Sequence, residues 1–150
     1  MASYSFRDVT AAIIGPGGSV NIGFGSGSSE EGITVEAAED TNVMTIGADG
    51  SGMHSLSVND GSLVTVRLLQ NSPVNSQLQL MYNLQSSSSA LHGRNVITIR
   101  HTAQGDFITL TQVAFKRRPN MSYAKQGGMV EWTFDAVRTA QILGIGTPEL

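Results

Sequence analysis

Met53-His-Ser-Leu-Ser-Val-Asn-Asp-Gly-Ser-Leu-Val-Thr-Val-Arg-Leu-Leu-Gln-Asn-Ser-Pro-Val-Asn-Ser-Gln-Leu-Gln-Leu-Met-Tyr82 is the stretch that decides the fold. Leu56 and Val58 alternate with Ser55 and Ser57, and Val64, Val66 and Leu68 alternate with Thr65 and Arg67. Such alternation gives strands with one apolar and one hydrated face, and Asn59-Asp60-Gly61 between them predicts a hairpin turn. A helix follows, with Ser72 as its N-cap and Pro73 at its first position. Val74, Leu78, Met81 and Tyr82 then fall on one side, at the spacing of a face packed on a core. From Leu68 to Gly93 there is no Asp, Glu, Lys or Arg. A helix with a solvated face normally carries charge there, so something other than water is expected against this one. Gln77, Leu80 and Leu84 extend its uncharged surface.

Working outward, Val9 to Ile13 and Val20 to Phe24 alternate on either side of Gly15-Pro-Gly-Gly18, which predicts a hairpin. Gly25 to Gly32 reads as a flexible connection, since Ser and Gly dominate it. Ile33 to Val35 and Val43 to Ile46 are strand-like and flank the acidic segment 36–42. A protruding arm is expected at about 30–52, with Met44 and Ile46 docking on a neighbour. A sheet-edge hairpin folded on its own core stands as the alternative. Val96 to His101, Asp106 to Phe115 and Met129 to Asp135 complete the strands. In the second of these, Phe107, Val113 and Phe115 are expected on one face, with Ile108, Leu110 and Ala114 on the other. Pro119 ends that strand, because it cannot donate to a ladder.

At 150 residues the chain is expected to form one domain, 1–150. Charged residues make up 14%, against roughly 25% in an average soluble protein. A subunit packed against others fits that economy, as does a monomer with a Ser- and Gln-rich surface. Residues 30–60 hold seven acids and no base, whereas residues 61–138 hold eight bases against three acids. Such segments meet either across a head-to-tail interface or within one fold. There is no cysteine, which excludes disulfides and thiolate chemistry. Neither an apolar signal core nor a membrane-length apolar run is present, so a soluble protein without a membrane anchor is expected.

The motifs of chemistry are missing. His54, His92 and His101 are dispersed outside any zinc-protease pattern, and no nucleophile elbow leads from a strand into a helix. The Gly-rich loop has no Lys-Ser or Lys-Thr behind it, which argues against phosphate binding. Asp49-Gly-Ser-Gly52 lacks the spaced acids of a calcium loop. Lys116-Arg-Arg118 has no interleaved aromatic platform for nucleic acid. No enzyme, cofactor or metal is expected.

Taken in order, Gly15-Pro-Gly-Gly18, Glu31-Gly-Ile-Thr-Val35, Gly47-Ala-Asp-Gly50, Met53-His-Ser-Leu56, Val64-Thr-Val-Arg-Leu-Leu69, Ser72-Pro73, Met81-Tyr82, Ala114-Phe115, Pro119-Asn120, Tyr123-Ala-Lys125 and Val130-Glu-Trp-Thr-Phe-Asp135 resemble the tail tube proteins of contractile-tailed bacteriophages. The resemblance covers nearly the whole chain. It implies a mainly β fold, an antiparallel β-sandwich or barrel with one flanking α-helix. It also implies hexameric rings that stack into a tube, with DNA passing through the lumen without specific binding. Sheath, tape-measure, baseplate and tail-terminator proteins are the implied partners. The virion tail is the implied location, after assembly in the host cytoplasm.

In that family a hairpin or loop bridges adjacent rings, which makes Glu39, Asp40, Val43, Met44 and Ile46 candidate contacts, together with Leu80 and Leu84 on the helix. Glu36, Ser55, Ser57, Asp60, Thr65 and Arg67 are candidates for the lumen. A non-catalytic β-sandwich module of the tail, binding a receptor or carbohydrate, is the competing reading.

Overall fold

The structure is a computed structural model describing residues 3–146, with the side chains of 28–31 outside the description. Among these residues are nine strands and one α-helix: β1 (Val9–Gly15), β2 (Gly18–Asn21), β3 (Ser28–Ala37), β4 (Asn42–Ile46), β5 (Gly52–Leu56), β6 (Ser62–Leu69), α1 (Val74–Ser86), β7 (Asn95–His101), β8 (Asp106–Arg117) and β9 (Met129–Ile142). Seven strands form one antiparallel sheet in the order β2-β1-β7-β8-β9-β6-β3, and β4 and β5 form a separate two-stranded sheet. The fold is mainly β with one flanking helix, as expected. The large sheet keeps two edges, β2 and β3, and does not close into a barrel.

It nevertheless curls strongly. Ile33 and Val35 on edge strand β3 line the same cavity as Val9 on β1 and Ile99 on β7, although several strands separate them in the sheet. The register shifts that bend a sheet are present between β7 and β8, between β8 and β9, and between β3 and β6. Gln112 takes a positive φ of 54° within β8. That irregularity corrects the expected faces of this strand. Leu110, Val113 and Phe115 share the buried side, and Phe107 lies outside under the Arg100 guanidinium at 4.9 Å. One inserted residue reverses the parity of everything beyond it.

The core lies between the concave sheet face and α1. Ile13, Val20, Val64, Val66, Leu68, Ile97, Leu110, Trp132 and Phe134 meet Val74, Leu78 and Met81 of the helix. Phe115 forms the centre of an aromatic group with Tyr82, Trp132 and Phe134. Two polar anchors fix α1 on this surface. Near its start, Trp132 Nε1–H donates to Asn75 Oδ1 at 3.1 Å. At its end the Gln85 and Asn95 amides exchange hydrogen bonds of 2.8 and 2.7 Å, and Gln85 Nε2 also donates to Pro16 O. α1 begins at Val74, one residue later than expected, and Ser72 Oγ accepts from the Val74 N–H at 3.2 Å.

The expected hairpin of residues 55–68 is the main correction. β5 pairs with β4, in the register Met44 opposite His54, whereas β6 pairs with β3 and β9. The 47–51 turn closes the β4–β5 hairpin, with Gly47 N–H donating to Ser51 O at 2.7 Å. Asn59 Oδ1 accepts from Gly61 N–H, so Asn59-Asp60-Gly61 forms a bend that links two sheets. Strand alternation is the same whichever neighbour is chosen, and here the tighter local turn wins.

Candidate assembly surfaces

The β4–β5 hairpin is exposed at every position of both strands. Its register puts Met44, Ile46 and Leu56 on one face with Asn42 and His54, and Val43 and Met53 on the other with Thr45 and Ser55. Both faces therefore show large apolar side chains to solvent; Leu56 is 82% exposed. A two-stranded ribbon has no interior of its own, so these side chains lack the cover that a core supplies. The stem is held by Ala38 N–H donating to Gly61 O at 3.0 Å, Ser57 N–H to Thr41 O at 2.8 Å and Asn59 Nδ2 to Glu39 Oε2 at 2.8 Å. Asp49 at the tip accepts from the Ser51 hydroxyl and N–H, which hold its carboxylate below the ordinary value.

Of the candidate contact residues, Val43, Met44 and Ile46 lie on this arm, with Glu39 and Asp40 in its stem. Leu80, 67% exposed, and Leu84, 44% exposed, lie outside the buried stripe of α1, and Leu84 flanks it beside the Gly17 turn. Gln79 Nε2 donates to Asn83 Oδ1 at 2.9 Å on the same helix, an uncharged pair where a charged one is common.

The candidate lumen residues divide between two places. Ser55 and Ser57 belong to the arm, and Glu36 and Asp60 to its root. Thr65 and Arg67 lie on β6, on the sheet face opposite α1, where Thr34 and Thr133 stand on either side of Thr65. Charges on this face are paired across strands: Arg67 with Glu131 at 3.7 Å and Lys116 with Asp135 at 4.0 Å. Arg67 also donates to Thr34 Oγ1 at 2.9 Å. The result is a polar wall on which two pairs are formed and Arg117, opposite Thr133, has no carboxylate partner among the described residues.

Sequence reasoning passed over the β8–β9 loop, residues 118–128. Residues 120–129 are exposed throughout, and Tyr123 reaches 84%. Gln70 latches the loop to the end of β6, donating from Nε2 to Ser122 O at 3.0 Å and accepting at Oε1 from Gly128 N–H at 3.1 Å. The signal was available in the sequence as a long Pro- and Gly-bounded segment with bases and no acid.

Among the described residues no three His, Asp or Glu side chains are placed to hold a metal ion, and no helix is long and apolar enough to cross a membrane. A cavity of about 620 Å³ opens at one end of the curled sheet, lined by Phe6, Val9, Ile33, Val35, Ile99 and Ile108 among others. Its one buried histidine, His101, stacks on Tyr4 with ring centroids 5.1 Å apart and accepts at Nδ1 from Gln104 N–H.

An exposed apolar arm, an uncharged helix face and a polar wall bearing ion pairs are features of a subunit that is covered by others. Comparison with known proteins agrees, since residues 1–144 match the family model described as Bacteriophage PhiTE tail tube protein. The chain belongs to this family of phage tail tube proteins. Solved structures of similar fold are also found. One is the tube-terminating cap of the anti-feeding prophage, with 7% identity, a TM-score of 0.54 and coverage of 96% of this chain and 95% of that one. Another is the sheath/tube terminator of the PVC extracellular contractile injection system in its extended state, with 12% identity, a TM-score of 0.55 and coverage of 95% and 98%. At such identities the likeness is one of fold alone. No curated protein matches the sequence.

Proposed function

We propose that this chain is a non-catalytic structural subunit of a phage tail tube. Copies close into hexameric rings, and the rings stack into a hollow tube through which DNA passes. The observation that carries this reading is the fully exposed β4–β5 arm on a chain whose family match runs over residues 1–144. A monomer gains nothing from holding Val43, Met44, Ile46, Met53 and Leu56 in water, whereas a stacked assembly covers them. Leu80 and Leu84 serve as a second contact between subunits. The sheet face opposite α1 lines the channel, where paired charges and threonines leave no free basic row to retain a polyanion. The partners are further copies of the chain, then sheath, tape-measure, baseplate and terminator proteins. The virion tail is its location, with assembly in the host cytoplasm.

Negative-stain microscopy of purified protein across a concentration series tests the proposal. Rings and hollow tubes are expected; particles that remain monomeric at high concentration would overturn it. A second reading has its own support, because both solved structures described above are caps or terminators. A terminator would give rings that bind the ends of preformed tubes without stacking on each other.

A further inference from the structure

The arm and the 118–128 loop carry unpaired charge of opposite sign at opposite ends of β6. β6 runs from Ser62, at the root of the arm, to Leu69, which pairs with Met129 at the foot of the 118–128 loop. Seven strand steps separate the two ends by about 23 Å. At the arm end lie Glu36, Glu39, Asp40 and Asp49. None of these four has a cationic partner among the described residues; Asp60 beside them pairs with Arg138 at 3.5 Å. The 118–128 loop carries Arg118 and Lys125, with no acid in that segment and no carboxylate partner for either among the described residues. Between the two ends lie the pairs Arg67–Glu131 and Lys116–Asp135, with Arg117 opposite Thr133 beside them.

Each charged end also presents uncovered apolar side chains. The arm offers Val43, Met44, Ile46, Met53 and Leu56, and the loop end offers Leu69, Met121, Tyr123 and Met129. Both surfaces combine an apolar patch with charge of one sign, and the signs are opposite. Within one chain they cannot meet, because the sheet holds them apart.

We propose that the acidic arm of one copy docks on the basic 118–128 loop end of the next copy along the strand direction, making a head-to-tail contact. Apolar side chains supply the affinity, and Glu39 and Asp40 facing Arg118 and Lys125 set polarity and register. A heterologous contact of this kind leaves a free arm at one end and a free loop at the other, so it propagates in one direction. The proposal rests on the tube reading and names the surface that receives the arm.

Charge reversal tests it. Glu39→Lys with Asp40→Lys, or Arg118→Glu with Lys125→Glu, is expected to raise the critical concentration of assembly about tenfold, and all four changes together to restore it to within about threefold. All four sites are exposed and only the exposed Asn59–Glu39 stem bond is lost, so thermal melting should stay within about 3 °C of wild type. Reversals without effect, or a fourfold variant no better than the twofold ones, would overturn the contact. A second readout does not require tubes. The chain has no cysteine, so an Asp40→Cys, Arg118→Cys variant can crosslink only between copies. A ladder of oxidised oligomers supports the contact, and its absence counts against it. A ladder without tubes would keep this contact and reject the tube reading; tubes indifferent to reversal and without a ladder would do the opposite.

Discussion

Replacing Gly15 with alanine should be among the most damaging single-methyl changes available in this chain. A Cβ built at Gly15 falls 1.9 Å from Asn95 Oδ1, 2.8 Å from its Cγ and 3.2 Å from its Cα. The Asn95 side chain cannot swing away freely, because its amide exchanges two bonds with Gln85 in a buried site. Either the strands separate, at about 1–3 kcal/mol for overpacking, or the amide pair breaks and leaves buried groups unsatisfied at a similar cost. We expect a loss of about 3 kcal/mol, or roughly a 10 °C fall in Tm for a chain of this length. Asn95→Ala should cost a comparable amount, because Gln85 Oε1 loses its donor while Nε2 keeps Pro16 O. The double variant decides the cause. With Oδ1 gone the new methyl has room, so the pair should cost about 2 kcal/mol less than the sum of the singles. Urea unfolding at concentrations below assembly supplies all four corners of the cycle. A Gly15→Ala variant within about 0.5 kcal/mol of wild type, or an additive double, would refute the reasoning.

Met44→Asp adds charge to an exposed arm position, so it should leave Tm unchanged while shortening or abolishing tubes in micrographs; a lowered Tm with tubes of normal length would reverse the assignment. Leu80→Lys with Leu84→Lys should likewise preserve the circular dichroism spectrum and the melting curve, yet suppress assembly in sedimentation. The Asp49 carboxylate is held below its ordinary value of 3.8, first by the Ser51 hydroxyl and then by the Ser51 N–H. A depressed folded value means that its contribution to the tip is present above the unfolded value and is lost as pH falls through the folded one. An NMR titration should therefore find the 47–51 turn intact above the usual carboxylate range and loosening below it, and Ser51→Ala should move the Asp49 midpoint upward.

Much of the fold can be read from the chain, and the gaps have physical causes. The β1–β2 hairpin is legible because Gly15-Pro-Gly-Gly18 permits a tight reversal; Gly17 and Gly18 take φ of 107° and 128°. The partner of β5 is not legible, since Leu56 and Val58 announce a strand without saying which edge it joins. The reversal of parity in β8 leaves no mark in the sequence apart from Gln112, whose positive φ is a property of the folded sheet. The Gln85–Asn95 pair lies between these cases. Gln85 follows Met81 by four positions and Leu78 by seven, so helical spacing alone brings a polar residue onto the buried stripe and flags a partner inside. The contact surfaces divide similarly. The opposed charge blocks are visible in the sequence, but their separation along β6 depends on the observed pairing of Ser62 with Ala136 and of Leu69 with Met129.

The same separation explains why so few charges suffice. A surface ion pair contributes at most about 1 kcal/mol, so the arm's acids facing Arg118 and Lys125 do not hold an assembly together by themselves. Covering an apolar side chain is worth about 1.5–3 kcal/mol, and the arm presents Val43, Met44, Ile46, Met53 and Leu56 together. Affinity therefore resides in the apolar residues, and it is non-directional: two arms would pack on each other as readily as an arm on a loop end. Charge removes that ambiguity, because arm against arm sets acid on acid, and loop end against loop end sets base on base. More charge along the middle of the sheet or on α1 would add solubility but would blur this sorting. In a subunit that adds in one polarity, the charge-free stretch from Leu68 to Gly93 and the paired wall beside Thr65 keep the ends as the places where sign is read.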